Sequence, residues 1–332
     1  MLTAPLATRA FGSTPLTVTR IGVGLAALGR PGYITLGREE DLGDDRTIGA
    51  LEHRCHEVLT AAYDAGVRYV DAARSYGLAE AFLASWVAAR TLSHGDVTVG
   101  SKWGYTYVGA WRADAPVHEV KDHSLEALRR QVIETRAWLD GRLNLYQIHS
   151  ATLDSGVLDD RAVLAELVRL RQEGLIIGLS LSGPRQADAL RHAFEAEVDG
   201  VHPFQSVQAT WNLLEPSVGP TLAEAHDRGW GVIVKEALAN GRLTGRNPEP
   251  ESRRLREIAV RRAAAMDAVA IAAALANPWV DVVLSGAATV DQLRGNLGAL
   301  DVALTPDDIE ALGTLAMPAE QYWRSRQALA WT

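Results

Sequence analysis

Eight short apolar runs, separated by longer stretches of helical periodicity, constrain this 332-residue chain more than any other feature. The runs are VTRIGVGL (18–25), VRYVDA (67–72), DVTVGSKWG (96–104), LNLYQIHS (143–150), LIIGLSLSG (175–183), GVHPFQSVQ (200–208), WGVIVKEAL (230–238) and VDVVLSG (280–286). They are nearly continuous and not alternating, the pattern of parallel strands buried on both faces. Between them, Leu125, Leu128, Val132, Trp138 and Leu139 fall near one helical face, and Leu158, Val163, Leu164, Leu167 and Leu170 near another. Gly174 and Gly229 stand where helix C-caps belong. Repeated βα units with short joints predict an α/β protein, and eight of them a closed (β/α)8 TIM barrel in preference to a doubly wound sheet.

The ends lie outside the eightfold unit. Residues 7–18 read as a β-hairpin turning at Gly12-Ser13-Thr14-Pro15 and placed to plug the barrel bottom. Residues 305–330 read as one or two additional helices. The joint after the first run, roughly residues 29–46, is unusually long for a compact unit, a length that often marks function. No linker or low-complexity tract divides the chain, so a single barrel domain over residues 1–332 is expected.

Composition narrows the function classes. Hydrophobic residues make up 47 %, ample for a large core. The formal net charge of -8, with both signs interspersed, argues against a nucleic-acid binder, which needs a basic face. Cys55 is the one cysteine, so no internal disulfide forms. The first residues lack a secretory h-region, and no uncharged apolar run reaches the ~20 residues of a membrane span. A soluble, cytoplasmic protein is expected, with no membrane or nucleic-acid partner; the composition leaves the oligomeric state open.

Polar groups end several of the runs. Asp71 ends the second, and Tyr76 follows at the start of the next helix; Lys102 ends the third and His149 the fourth. Each singly has an ordinary explanation, as a helix cap, a surface lysine or a structural histidine. In a barrel of this type chemistry sits at the C-terminal strand ends, and together they form one proton-handling cluster. A tyrosine, with a usual pKa of ~10, is too weak an acid for neutral pH. The Lys102 ammonium is expected to lower it, Asp71 to hold Lys102 charged, and His149 to donate to a substrate oxygen. Such a set protonates a carbonyl oxygen while a cofactor delivers hydride to the carbon.

In this order and spacing, DAARSYG, SKWG and QIHS resemble the Asp-Tyr-Lys-His tetrad of the aldo-keto reductases. TRIGVGLAALG, VQATWNLLE, ALANGRLTG, LSGAATVDQLRGNL and the tail YWRSRQALAWT extend the resemblance over nearly the whole chain. It implies a (β/α)8 barrel and a nicotinamide dinucleotide, NADP(H) by family habit, with NAD(H) possible. It also implies that Tyr76 is the general acid in reduction and the base in oxidation, tuned by Lys102 and Asp71, while His149 positions the substrate carbonyl. Ser180 and Gln208 are implied to hold the nicotinamide carboxamide, although Leu181 stands where the family usually has asparagine and Ser182 is the candidate replacement. Lys235 occupies the position of the tyrosine that stacks on the ring in many members, with Trp211 a nearby aromatic. Gly286, Ala287 and Ala288 open a helix suited to a phosphate, and Gln292 and Asn296 match adenosine-side contacts. Many members carry a cation there for the 2′-phosphate; this stretch has only Arg294.

Other signals carry less. GVGLAA (22–27) matches a permissive dinucleotide fingerprint, but a loop follows it where a helix is needed. His53 and His56 in HRCHE lack the further ligands of a metal site, so no metal is expected. The arginines at 253, 254, 256, 261 and 262 read as a solvated helix; the resemblance places them near the adenosine end, with a phosphate role as the alternative. Trp103 and Trp111 either line a pocket or pack. The expected activity is reduction of an aldehyde or ketone to an alcohol by direct hydride transfer. The alternatives are a cofactor-sensing regulatory subunit of a larger assembly and an NAD-dependent alcohol or sugar dehydrogenase. A small-molecule carbonyl or alcohol is the expected substrate, its identity set by the joints and the tail.

Overall fold

The computed structural model describes residues 6–139, 141–248 and 252–332. Its strands are β1 (Thr8–Ala10), β2 (Thr17–Thr19), β3 (Ile21–Gly24), β4 (Tyr69–Asp71), β5 (Thr98–Trp103), β6 (Tyr105–Tyr107), β7 (Glu119–Lys121), β8 (Leu143–Ala151), β9 (Ile176–Leu181), β10 (Ser206–Thr210), β11 (Gly231–Lys235) and β12 (Val282–Ser285). Eight of them close a barrel in the order β3-β4-β5-β8-β9-β10-β11-β12, every neighbouring pair parallel. All eight apolar runs supply a barrel strand. Helices cover the outside because each barrel strand needs a long return crossover to its parallel neighbour.

The run at 200–208 enters the barrel later than its composition implies. Val198 and Val201 form a separate antiparallel bridge, and the strand begins only at Ser206. Trp138 is also misplaced by periodicity. The helix Leu125–Leu139 buries Leu128, Gln131, Val132, Thr135 and Leu139, and leaves Trp138 49 % exposed. Gln131 and Thr135 take the inward positions because both are hydrogen-bonded there, to the Gly104 N–H and the Glu80 carboxylate.

The N-terminal hairpin forms as expected, with Thr8 opposite Thr19 and Ala10 opposite Thr17. Its turn buries Phe11 among Tyr69, Leu145, Ile176, Ile233 and Val282, which closes the barrel bottom. Gly231 has to be glycine at this seal: a Cβ there would come within 2.4 Å of the Phe11 ring. At the other end of the chain, helices Pro306–Gly313 and Ala319–Gln327 bury Leu312, Tyr322 and Trp323 against Leu214, Leu243 and Ile258. The long first joint contains a short helix, Arg38–Leu42, and the joint after β5 contains the β6–β7 hairpin. Among the described residues no helix is long and apolar enough to cross a membrane.

Candidate active site

Asp71 ends β4, Lys102 lies near the end of β5 and His149 near the end of β8, so adjacent parallel strands bring three of the four polar groups to one rim. Tyr76 comes from the turn after β4. That turn is held by the Leu78 N–H donating to Gly29 O at 2.8 Å, and it needs Gly77 at φ 62. A Cβ on Gly77 would lie 2.3 Å from the Gly29 carbonyl oxygen, so the close approach that aims Tyr76 inward depends on this glycine.

Lys102 is fully buried and Asp71 is 1 % exposed. The Lys102 ammonium donates to Asp71 Oδ1, to Ala72 O at 3.0 Å and to Tyr76 Oη at 3.4 Å. The second carboxylate oxygen of Asp71 accepts from Gln208 Nε2 at 3.0 Å, Tyr69 Oη at 3.2 Å and Gln147 Nε2 at 3.4 Å. This buried charge pair is therefore satisfied on both sides. The His149 ring stands edge-on to Tyr76 with centroids 5.5 Å apart, and its Nδ1 lies 3.3 Å from Ser75 Oγ. Burial and the nearby Lys102, Lys235 and Arg30 charges hold the imidazole well below its usual pKa, so it is neutral. In the tautomer in which Ser75 donates to Nδ1, the ring presents an Nε2–H donor.

The acidity of Tyr76 differs from the sequence-based expectation. Burial and the Asp71 carboxylate push its pKa well above 10, although Lys102 is in contact. The reason is that Asp71 meets the Lys102 charge, so the pair offers the phenol little net positive field. Arg30, 5.5 Å from the Tyr76 ring centroid, is the cation that acts in the opposite direction. Tyr76 is thus a protonated phenol whose oxygen accepts from Lys102 and whose hydrogen is available to a substrate oxygen.

The other sequence-singled residues divide around a cleft of about 470 Å³ that runs from Tyr76 and His149 past Gln208 and Lys235 to Gly286, Gln292 and Asn296. Gln208 reaches it while also bonding Asp71. Ser180 is fully buried, and its hydroxyl accepts the Ser150 N–H at 2.9 Å; Ser182 lines the cleft. Lys235 donates to Thr210 Oγ1 at 2.7 Å and lies 3.8 Å from Glu236 Oε1. Gly286 and Ala287 line the cleft ahead of helix Val290–Leu297, and nothing lies within 4 Å of a Cβ built on Gly286. Ala288 stands behind them, its N–H donating to Gln292 Oε1 at 2.8 Å. Asn296 is anchored by donation to Ser285 Oγ at 2.8 Å. Arg294 is exposed, pairs with Asp291 at 3.2 Å and does not line the cleft. Trp211 packs edge-on against Trp279, Trp103 against His123 and Trp111 against Phe82, and none of the three reaches the cleft.

Several cleft residues escaped sequence reading. Arg30, 2 % exposed, donates to Glu119 at 2.8 Å and lies over the Tyr33, Tyr76 and Trp331 rings. Trp331 from the tail stacks on His118 at 4.0 Å, and the Tyr33 and Thr332 backbones exchange hydrogen bonds at 3.1 Å. Arg326 grips Glu236 at 2.8 and 2.5 Å; Glu236 has a positive φ of 56°, and the Arg326 and Lys235 charges outweigh its burial and hold its pKa at about 2. At the far end Asp41 accepts from Gln292 Nε2 at 2.6 Å and pairs with Arg246. The only early signal for these contacts is the length of the first joint and of the tail.

Residues 45–316 match the Aldo/keto reductase family. The chain is 25 % identical to the aldo-keto reductase str7 of Strobilurus tenacellus, over 95 % of this chain and 94 % of that one. It is 24 % identical to the NADH-specific methylglyoxal reductase of Escherichia coli (strain K12), over 94 % and 98 %. The holo form of an aldo-keto reductase from Bacillus halodurans shares the fold, with a TM-score of 0.71 and 22 % identity over 96 % of this chain and 99 % of that one.

Proposed function

The chain belongs to the aldo/keto reductase family, nicotinamide-dependent oxidoreductases of carbonyl and alcohol groups, and on that premise we infer that it reduces an aldehyde or ketone with Tyr76 as proton donor. The observation that carries this reading is the Lys102 contact to Tyr76 Oη at 3.4 Å, at the floor of the cleft. A carbonyl oxygen seated between Tyr76 Oη and the His149 imidazole receives one hydrogen bond from each. As negative charge grows on that oxygen, Tyr76 hands over its proton and His149 keeps the oxygen aligned. The Lys102 ammonium then stabilises the tyrosinate left behind, while Asp71 fixes the ammonium in place. When bound, the dinucleotide supplies the hydride that adds to the carbonyl carbon.

The residues present suit such a group. A backbone turn open at Gly286 precedes a helix N-terminus beside Asn296, and Gln208 and Lys235 line the cleft between that turn and Tyr76. NADH is the form these residues favour over the NADP(H) of family habit. At the adenosine end Asp267 and Arg246 line the cleft, Asp41 stands behind Gln292 and Arg246, and Arg246 is already paired with Asp41. A 2′-phosphate there would meet a net negative charge, and Arg294 faces away. The NADH specificity named for the Escherichia coli relative points the same way.

A panel of aldehydes and ketones, followed by NADH absorbance with Tyr76→Phe as the blank, tests the reading. Turnover that vanishes in Tyr76→Phe, with NADH binding retained, is the expected result. Equal turnover by the two proteins would overturn it.

A further inference from the structure

The strand-end lysine at the middle of the cleft has a charge that its surroundings do not cancel. Lys235 is 16 % exposed and lines the cleft with Tyr76, His149 and Gln208. Its nearest carboxylate, Glu236, is committed elsewhere: Arg326 binds both of its oxygens at 2.8 and 2.5 Å, while Lys235 Nζ stays 3.8 Å away. Among the described residues the only hydrogen-bond acceptor of Lys235 is the neutral Thr210 hydroxyl. Of the other charges around it, Lys102 pairs with Asp71, Arg30 pairs with Glu119, and His149 is neutral. Arg326, Lys235 and the buried Arg242 all act on the one carboxylate of Glu236, so this part of the cleft holds positive charge in excess.

We propose that Lys235 sets which redox form of the dinucleotide the site prefers: its ammonium disfavours the cationic ring of the oxidised form and leaves the neutral reduced ring unaffected. The proposal rests on the reading above. A hydride donor has to face a carbonyl carbon whose oxygen touches Tyr76, so its ring shares the walls that Lys235 helps to form. The two forms differ by one positive charge on that ring, beside a lysine only 16 % exposed, where like charges interact more strongly than in bulk water. Burial, Arg326 and Lys102 draw the Lys235 pKa down to about 8, with Glu236 and Asp71 opposing, so the amine remains mainly charged at neutral pH. The consequence is a site that takes up reduced cofactor and releases it once oxidised, which favours carbonyl reduction over alcohol oxidation.

Calorimetric titration of the purified protein with NADH and with NAD+ at pH 7 tests this without turnover. The wild-type protein should bind NADH at least about tenfold more tightly than NAD+. Lys235→Met should strengthen NAD+ binding by about tenfold with NADH binding little changed, and Lys235→Arg should keep the wild-type ratio. A ratio that is the same in wild type and Lys235→Met overturns the inference and leaves the reductase reading standing. Failure of the wild-type protein to bind either dinucleotide overturns both.

Discussion

The Lys102 ammonium sits 3.4 Å from the Tyr76 hydroxyl oxygen and at the same time in direct contact with Asp71, so one lysine serves both a phenol and a carboxylate. The two duties separate by mutation. Lys102→Met leaves Asp71 buried and unpaired, and should cost about 3–5 kcal/mol of stability as well as about a hundredfold or more in turnover. Adding Asp71→Asn removes the stranded charge. The double variant should recover most of the stability in urea unfolding and none of the activity. Recovery of both would show that Lys102 acts only as a structural partner.

Glu236 holds two cations, so its loss is felt by both. Glu236→Gln should lower stability by about 3 kcal/mol near pH 7, because Arg326 and Lys235 both remain in the cleft wall without a carboxylate. The sign of the acid dependence follows from a folded pKa of about 2 against an ordinary 4.5. This contribution is complete above pH 4.5 and is lost as pH falls toward 2. The gap between wild type and variant should therefore narrow over that window in denaturant midpoints. A gap that stays constant would mean the carboxylate does not titrate as described.

Lys235 has the opposite dependence. It loses its proton at about 8 when folded, against 10.5 for a free lysine. The unfolded chain binds more protons between those values, so stability rises with pH across that window. Lys235→Met should abolish the rise and make the protein about 3 kcal/mol more stable at pH 7. Parallel stability curves for the two proteins between pH 7 and 10.5 would refute the shifted lysine.

Cofactor choice should respond to charge at the adenosine end. Asp41→Asn frees Arg246, and Gln292→Arg adds a second cation where Gln292 now meets Asp41. The double variant should shift the NADPH-to-NADH ratio of kcat/KM by about tenfold or more toward NADPH. An unchanged ratio would place the 2′ position of the ribose elsewhere.

The barrel and the meeting of Asp71, Tyr76, Lys102 and His149 at one rim were legible because both are written locally. Each barrel strand is a compact apolar run, and Asp71, Lys102 and His149 are polar residues at the ends of such runs. The exposure of Trp138 was not legible, since helical periodicity cannot reveal that Gln131 and Thr135 have buried partners waiting. The late start of β10 at Ser206 was hidden in the same way by a bridge between Val198 and Val201. Arg30, Glu119 and Trp331 meet across almost the full length of the chain, and no short-range pattern encodes such a meeting. The acidity of Tyr76 was misjudged because the sequence shows a lysine near a tyrosine without showing how completely Asp71 answers its charge.

Arg38 is 1 % exposed and places its guanidinium on four carbonyls, those of Ala27, Arg30, Pro31 and Thr332. One side chain thereby bolts the first joint to the tail, the two segments that bring Tyr33 and Trp331 to the cleft. An insertion in one segment has to be matched by an adjustment in the other if these four contacts are to survive, so the mouth of the cleft is shaped by both segments jointly.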